Sequence, residues 1–318
     1  MQPFRNILVG VDLAQYDATS HQPSVVARAV VQQALWLAAK MNARLTFFAA
    51  LNLTTESLPY LDESDRQHLT QSAERAAGTI LDNLVRQAET QGIKAGKKLA
   101  LGGSWLELIR QVLRDKHDLL LVGTRDRKGL GRMIFGSTAI KLVRRCPCPV
   151  WVAKPEGIPT PLNILVASDL SPAAEDALGL AVNLARVTPA NIHLLHVVDF
   201  PLDHIWSTGL PDAKEEAYRR DLRHRAEQAL QSQVNRAGAQ DLSPGVQVHL
   251  VDDMGGLADE GILGYIQTHK IDLLVMGTIG RSGIPGVMIG NTAERILPDL
   301  TCSLLAVKPA GFVSPVRL

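Results

Sequence analysis

The chain has 318 residues, about the length of two ordinary domains. Its hydrophobic content of 46% and charged content of 20% are typical of a folded globular protein and exclude a mainly disordered chain. Lys and Arg total 33 against 32 acidic residues, and no long run of one sign occurs, which argues against a nucleic-acid-binding surface.

Short apolar runs alternate with helical patterns through the first half of the chain. The runs are apolar on both faces and rich in Val, Ile and Leu, which is typical of a parallel sheet covered by helices. The predicted strands lie near residues 5–11, 44–50, 97–101, 118–123 and 149–154, and the predicted helices near 23–40, 63–91, 104–115 and 137–145.

The second half of the sequence repeats the first. The segment NILVGVD at 6–12 matches NILVASD at 163–169, and DLLLVGT at 118–124 matches DLLVMGT at 272–278. Such self-similarity indicates one fold that is present twice.

The boundary between the repeats lies in PEGIPTPLN, where three prolines and a glycine interrupt any regular pattern. We therefore predict one domain over residues 1–156, a second over 162–310 and a C-terminal tail over 311–318. Each domain is predicted to be α/β, with a doubly wound, five-stranded parallel sheet.

A glycine-rich loop follows the strand IDLLVM in the second repeat. Its pattern is G-x2-G-x9-G-N-T, with Gly277, Gly280 and Gly290 at the three glycine positions. A β-carbon at such positions would keep backbone N–H groups away from phosphate oxygens. The helix that begins at Gly290 adds N–H donors at the positive end of its dipole. A lone pair of glycines would indicate only a turn, but this spacing between a strand and a helix predicts an anion-binding loop.

The matching loop of the first repeat is altered. It keeps Gly123 and Gly136 and gains Ser137, but Asp126 stands where the second glycine belongs. A carboxylate near phosphate oxygens weakens binding because like charges repel. Four cationic residues of the loop either offset this charge or are solvated: Arg125, Arg127, Lys128 and Arg132. We predict a weak or empty site in the first domain.

The stretch GTIGRSGIPGVMIGNTAERIL resembles the nucleotide-binding loop of the universal stress protein family. The opening strand of each repeat, HVVD at 196–199 and the segment CPCPVWVAKP carry the same resemblance, and the ending CSLLAVKPAGFVSPVRL is similar to tandem-domain, UspE-type members. The family implies the Usp, adenine nucleotide alpha hydrolase-like fold. It also implies that domains pair through their last strands, so that the fused halves form a pseudo-dimer. Further association into a homodimer is left open.

The resemblance also implies a site for ATP or AMP, with or without Mg²⁺, in the second domain. Asp169 is expected at the adenosine portion, Ala167 and Val197 at the base, Met276 and Gly277 at the ribose, and Gly280, Gly290, Asn291 and Thr292 at the phosphates. A carboxylate at a strand end accepts hydrogen bonds from ribose hydroxyls, and Asn291 and Thr292 offer side-chain donors. Asn291 stands where nucleotide-binding members usually have Ser or Thr. The weaker site of the first domain would use Asp12, Gly123, Gly136, Ser137 and Thr138.

The sequence indicates neither a catalytic nor a metal site. It lacks the G-x4-G-K-[S/T] and G-x-S-x-G motifs. His196 is interpreted as a packed strand residue. Four other histidines lie far apart in the sequence without the spacing of metal ligands: His117, His193, His249 and His269.

Three functions remain open. The first is a stress-response sensor that binds an adenine nucleotide without fast turnover. The second is a module that binds an acyl or lipid-precursor-like metabolite, for which the segment 200–211, with Ile205, Trp206 and Leu210, offers an apolar lid. The third is a slow ATPase.

The sequence also indicates where the protein resides. It contains neither an apolar run of about 20 residues nor a secretory signal pattern. Its three cysteines, an odd number, fit a reducing compartment better than a set of disulfides. We therefore expect a cytoplasmic protein with no membrane partner.

Overall fold

The computed structural model describes residues 4–13, 24–52, 62–124, 135–155, 157–204, 211–253, 258–278 and 290–318. The chain folds into two units. The N-terminal unit comprises Met1–Gly157 together with Phe312–Leu318, and the C-terminal unit comprises Ile158–Gly311. Pairing of the two halves through their last strands stays a prediction.

The N-terminal unit alternates strands and helices. Its elements are β1 (Asn6–Gly10), α1 (Val25–Met41), β2 (Arg44–Leu51), α2 (Glu63–Glu89), β3 (Ala95–Leu101), α3 (Ser104–Asp115), β4 (Leu119–Gly123), α4 (Ser137–Arg145) and β5 (Val150–Ala153). The strand order is β3-β2-β1-β4-β5 and all neighbours pair in parallel. Because the chain moves outward from β1 in one direction and then in the other, right-handed crossovers place α1 and α2 on one face and α3 and α4 on the opposite face.

The C-terminal unit repeats this arrangement. Its elements are β6 (Leu162–Ala167), α5 (Pro172–Ala185), β7 (Ala190–Val198), α6 (Asp212–Arg236), β8 (Gln247–Asp252), α7 (Ala258–Thr268), β9 (Leu273–Gly277), α8 (Asn291–Ile296) and β10 (Ser303–Val307). The order is β8-β7-β6-β9-β10, again with parallel neighbours. The prediction of doubly wound, five-stranded parallel sheets is confirmed.

Local sequence signals explain where several helices begin and end. The Ser24 hydroxyl caps α1 by accepting a hydrogen bond from the Ala27 N–H at 3.1 Å. That helix ends at Asn42, which adopts the left-handed conformation with φ 51°. Helix α5 has Ser171 as its N-cap and a proline at its first position, where the missing N–H costs no internal hydrogen bond.

The repeated aspartate before the fourth strand of each unit ties the amino ends of two strands together. Asp118 accepts hydrogen bonds from the backbone N–H groups of Arg5, at 2.7 Å, and Asn6, at 3.0 Å. Asp272 accepts the equivalent bond from the Asn163 N–H at 2.8 Å. The aspartate that begins both DLLLVGT and DLLVMGT therefore has the same structural role in the two units.

The C-terminal tail packs within the N-terminal unit. The Ser314 hydroxyl donates to the Arg145 carbonyl at 2.8 Å, and Arg110 donates to the Arg317 carbonyl at 3.4 Å. The tail thus satisfies a carbonyl in the last turn of α4. Every helix in the described ranges is too short or too polar to span a bilayer.

Candidate functional site

Asp169 lies in the short turn between β6 and α5. One of its carboxylate oxygens accepts the Ser171 N–H at 3.0 Å, and the side chain is exposed. Leu170, between them, has φ 64°, so the turn is sharp at this point. The geometry presents the carboxylate at the carboxyl edge of the sheet, where ligands of open α/β folds bind.

A buried network that the sequence did not reveal holds this turn. The Ser168 hydroxyl donates to Gln233 Oε1 of α6 at 2.8 Å and accepts from the Leu170 N–H at 3.1 Å. Nδ1 of His196 lies 2.8 Å from the Ser168 carbonyl oxygen and donates to it in the matching tautomer. His196 therefore contacts the turn through the backbone carbonyl of Ser168. Ser168 lies in the repeated segment NILVASD, but Gln233 belongs to no motif, so the sequence carried no signal that the two side chains pair.

The strand ends that border the expected base and ribose positions come together. Ala167 and Met276 are register partners on β6 and β9, and they are 9% and 7% exposed. Gly277 follows directly, and a β-carbon there would lie 3.1 Å from the Ala173 β-carbon of α5. This glycine is thus required by helix packing, whatever it does for a ligand. The side chain of Val197 reaches the other face, where a β-carbon on Gly261 of α7 would lie 3.3 Å from it.

The base of the glycine loop is closed by one backbone hydrogen bond. The Gly290 N–H donates to the Thr278 carbonyl at 2.7 Å, so this amide is already used. Gly290 is the N-cap of α8 and supplies no side-chain cap. Gly290 therefore gives the first-turn N–H groups of Asn291 and Thr292 no side-chain cap, as far as the described residues extend. Gly280 lies outside the described residues.

A cavity of about 480 Å³ opens at the carboxyl ends of β1, β2 and β4 in the N-terminal unit. This volume falls within the range of about 300–1,000 Å³ that is usual for small-ligand sites. Four of the five residues predicted for the weaker site line it: Asp12, Gly123, Gly136 and Thr138. The fifth, Ser137, is the first residue of α4. The structure thus forms a well-defined cavity where the sequence predicted a weak or empty site.

The wall of this cavity combines apolar and polar residues. Helix α1 contributes Val26, Ala27, Val30 and Val31, and strand β2 contributes Phe48, Ala50 and Leu51. The start of α4, where Gly136 provides no side-chain cap, also borders the cavity. The cavity therefore has an apolar surface beside a polar one, as is usual for small-ligand sites.

One polar residue in the wall of this cavity, Thr124, has a buried hydroxyl. It lines the cavity and is 2% exposed. Its N–H donates to the Ala153 carbonyl at 3.1 Å, but its hydroxyl oxygen has no hydrogen-bond partner within the described part of the chain. The equivalent Thr278 hydroxyl donates to the Val307 carbonyl at 3.3 Å. A buried hydroxyl without a partner is costly, so Thr124 differs in this respect from Thr278.

Both repeats match the model described as the universal stress protein family, over residues 3–154 and 162–308. The chain belongs to the universal stress protein family. It is 26% identical over 342 residues to universal stress protein E of Photorhabdus laumondii, covering 100% of this chain and 99% of that protein. It is 25% identical over 331 residues to universal stress protein E of Escherichia coli K12, covering 100% and 98%. This universal stress protein is thus a tandem member of the E type, as the sequence predicted.

Solved structures share the fold of this universal stress protein. A protein of unknown function from Pseudomonas aeruginosa PAO1 superimposes with a TM-score of 0.66 at 21% identity, covering 97% of this chain and 94% of that one. A universal stress protein from Archaeoglobus fulgidus gives a TM-score of 0.67 at 19% identity, covering 96% and 98%.

Three histidines that look scattered in the sequence of this universal stress protein meet in space. His193 of β7, His249 of β8 and His269 beyond α7 surround Tyr265 of α7. We call these four residues the histidine cluster. Within the described ranges, no group of three or more His, Cys, Asp or Glu residues has an arrangement that could hold a metal ion. His117 lies apart, in the N-terminal unit, where burial lowers its pKa.

Proposed function

We propose that this universal stress protein takes part in the stress response by binding an adenine nucleotide, ATP or AMP, in its C-terminal unit. Binding rather than fast turnover would be its activity. The observation that carries the proposal is the position of the two described ends of the loop after β9, Thr278 and Gly290. The Gly290 N–H closes its base at 2.7 Å, and the uncapped start of α8 follows on the same edge of the sheet as Asp169.

The proposed contacts follow from the chemistry of each group. Asp169 uses one carboxylate oxygen within its own turn and keeps the other for a ribose hydroxyl. The N–H groups and side chains of Asn291 and Thr292 would hold phosphate oxygens. Apolar contacts to the base would come from Ala167 and Val197, and Met276, the register partner of Ala167, would lie with Gly277 behind the ribose. If Mg²⁺ accompanies the nucleotide, the phosphates and water would supply most of its ligands.

The N-terminal cavity supports a second, weaker nucleotide site. Its aliphatic wall suits a base, Asp12 suits a ribose, and the N-terminus of α4 suits phosphate. The carboxylate of Asp126 in the same loop opposes a phosphate by charge repulsion. We therefore expect this cavity to bind more weakly than the C-terminal site.

One observation favours a different ligand class for the N-terminal cavity. Valine side chains of α1 and the ring of Phe48 form much of its wall, which also suits an acyl chain or a similar apolar metabolite. Native mass spectrometry of the purified protein separates the two cases. A retained mass other than a nucleotide, abolished by Val30→Asp, would support an apolar ligand.

The test of nucleotide binding uses charge at the two N-cap positions. Gly290 has φ −61° and ψ 146°, and Gly136 has φ −66° and ψ 160°, so both accept a side chain without backbone strain. Asp and Asn cap helices about equally well. The pairs Gly290→Asp with Gly290→Asn, and Gly136→Asp with Gly136→Asn, therefore differ in charge alone.

Isothermal titration with ATP and with AMP, with and without Mg²⁺, gives the readout. Two like charges about 4 Å apart repel by about 1 kcal/mol in water and about 4 kcal/mol near a protein surface. We therefore expect Gly290→Asp to weaken binding at least about fivefold relative to Gly290→Asn. Gly136→Asp should affect only a weaker second binding step. No heat from the wild-type protein at millimolar nucleotide, or equal affinities for Gly290→Asp and Gly290→Asn, would refute the proposed C-terminal site.

Slow ATP hydrolysis is the remaining alternative. Phosphate release by the wild type that exceeds release by Gly290→Asp, at equal nucleotide occupancy, would show turnover at this site.

We also propose a cytoplasmic location. All three cysteines are free thiols, which supports a reducing compartment.

A further inference from the structure

The histidine cluster joins α7 to the sheet by ring contacts. The rings of His193 and His249 stack with centroids 5.4 Å apart, and the rings of Tyr265 and His269 stack at 3.8 Å. Tyr265 Oη lies 3.0 Å from Nδ1 of His193 and connects the two stacks. Two of the rings belong to strands, one belongs to α7 and one follows it, so the cluster is one of the contacts between this helix and β7 and β8, beside the packing of Gly261 against Val197.

The arrangement favours neutral imidazoles. Burial raises the pKa of Tyr265 to about 12, so its hydroxyl stays protonated, and it donates to Nδ1 of His193 in the tautomer that leaves this nitrogen unprotonated. Nδ1 of His193 also lies 3.4 Å from Nε2 of His249. Protonation would place cations on rings whose centroids are 5.4 to 6.2 Å apart, and they would repel one another.

The surroundings oppose protonation as well. Burial lowers the pKa of His193, and the nearby His249 and His269 lower it further. Burial and His269 lower the pKa of His249. The neighbouring charges that lower these two pKa values belong to His249 of β8 and to His269, which follows α7. Hydrogen bonds from Arg186 and Arg223 lower the pKa of Asp241 and of Asp252, so these two carboxylates of the unit stay charged in mildly acidic solution.

The same helix is connected to α8. Asp259 in the first turn of α7 forms a salt bridge of 3.1 Å with Arg295 of α8, and Asp259 is 13% exposed. Helix α8 begins at Asn291, next to the loop after β9. Displacement of α7 would therefore remove a neighbour that holds α8 in place.

We propose that the histidine cluster is a proton-sensitive latch, whose protonation in mildly acidic solution releases α7 from β7 and β8 and loosens α8 with it. The sign follows from linkage. A histidine with a lower pKa in the folded than in the unfolded state contributes stability that is present above about pH 6.5 and is lost as the pH falls through its folded pKa. The latch is closed at neutral pH and opens on acidification.

Hydrogen exchange of the full chain tests the latch without any nucleotide. Protection factors are compared at pH 7.5 and 5.5 for the amides of α7 around Ile262 and Ile266, which are buried, and for those of α8. In the wild type we expect protection in α7 to fall by up to about tenfold for each of His193 and His249, because pH 5.5 is about one unit below the ordinary pKa that an exposed histidine has once the latch is open. Protection in α8 should fall with it.

Matched variants identify the histidines as the cause. His193→Asn can place its amide oxygen near the former position of Nδ1, and His249→Gln its amide N–H near the former position of Nε2, so the contact keeps an acceptor and a donor while neither amide titrates. The double variant should lose less than about threefold of its α7 protection between the two pH values. The control is His224→Gln on the exposed face of α6, which should behave as the wild type.

Two results would overturn the latch. One is equal α7 protection at the two pH values in the wild type, and the other is an acid-induced loss in the double variant as large as in the wild type. If the double variant does not fold, proton NMR of the wild type decides instead. The titration midpoints of His193 and His249 must then lie at lower pH than that of the exposed His224, and the α7 ring contacts must be lost over the same pH range. Titration midpoints of His193 and His249 at or above that of His224 would reject the proposal.

Discussion

Gly123→Ala tests whether the first glycine of the loop is required by packing. A β-carbon at this position would lie 2.8 Å from Val30 Cγ2 and 2.9 Å from Val26 Cγ1. Valine on a helix has one strongly preferred rotamer, so neither side chain can rotate away at low cost. Helix α1 would have to move away from β4, and the cavity wall that Val26 and Val30 form would move with it.

The expected magnitude follows from these two contacts. Overpacking a well-packed core typically costs about 1–3 kcal/mol. For a domain of about 150 residues, each kcal/mol lowers the melting temperature by about 2–4 °C, so we expect a decrease of about 2–12 °C. The matched control is Gly78→Ala inside α2, where the nearest atom is Lys97 Nζ at 4.0 Å. It should raise stability by about 0.5–1 kcal/mol because alanine favours the helix.

Thermal unfolding by circular dichroism, with hydrogen exchange to separate the two units, measures both changes. Gly277→Ala, with its closest contact at 3.1 Å to the Ala173 β-carbon, should lie between the other two variants. If Gly123→Ala melts within about 1 °C of the wild type, the packing explanation is wrong, and the glycine would then have to be explained by ligand approach alone.

Two further predictions use the buried polar groups. Thr124→Val removes a buried hydroxyl that has no partner in the described part of the chain, so we expect the free energy of unfolding in urea to rise by about 1 kcal/mol. Thr278→Val breaks the hydrogen bond to the Val307 carbonyl, so we expect the same quantity to fall by about 1 kcal/mol. Equal effects of the two substitutions would contradict this reasoning. Gln233→Leu leaves the buried Ser168 hydroxyl without its acceptor and should cost about 1–3 kcal/mol, of which a second change, Ser168→Ala, should restore a part. A double variant less stable than Gln233→Leu alone would show that the two groups do not act as a pair.

The positions of several strand ends near the candidate site could be predicted because these residues lie in repeated segments, whereas their roles toward a ligand stay predictions. The Asp169 turn and the strand end at Met276 occur where parallel strands finish, and the matching segments of the first repeat led to Asp12 and Gly123. Alternating apolar runs fixed these positions along the chain. The histidine cluster had no comparable signal, because His193, His249 and His269 lie on three elements that meet only in the folded sheet.

Some expectations changed once the backbone was placed. The sequence assigned Gly290 to a phosphate, but its N–H is bound to the Thr278 carbonyl, so the donors move to the following residues. The first domain was expected to have a weak or empty site, yet its residues line a cavity of about 480 Å³. The strengths of the two sites remain predictions. The apolar segment with Ile205, Trp206 and Leu210 lies outside the described residues.

The sequence by itself determined the duplicated architecture, the order of strands and helices and membership of the universal stress protein family, because these depend on periodicity and local spacing. Only the tertiary structure decided which side chains meet. Packing across the sheet explains Gly123 and Gly277, a contact between β6 and α6 joins Ser168 to Gln233, and helix docking assembles the histidine cluster. Such contacts join residues that are distant along the chain, so no local pattern records them.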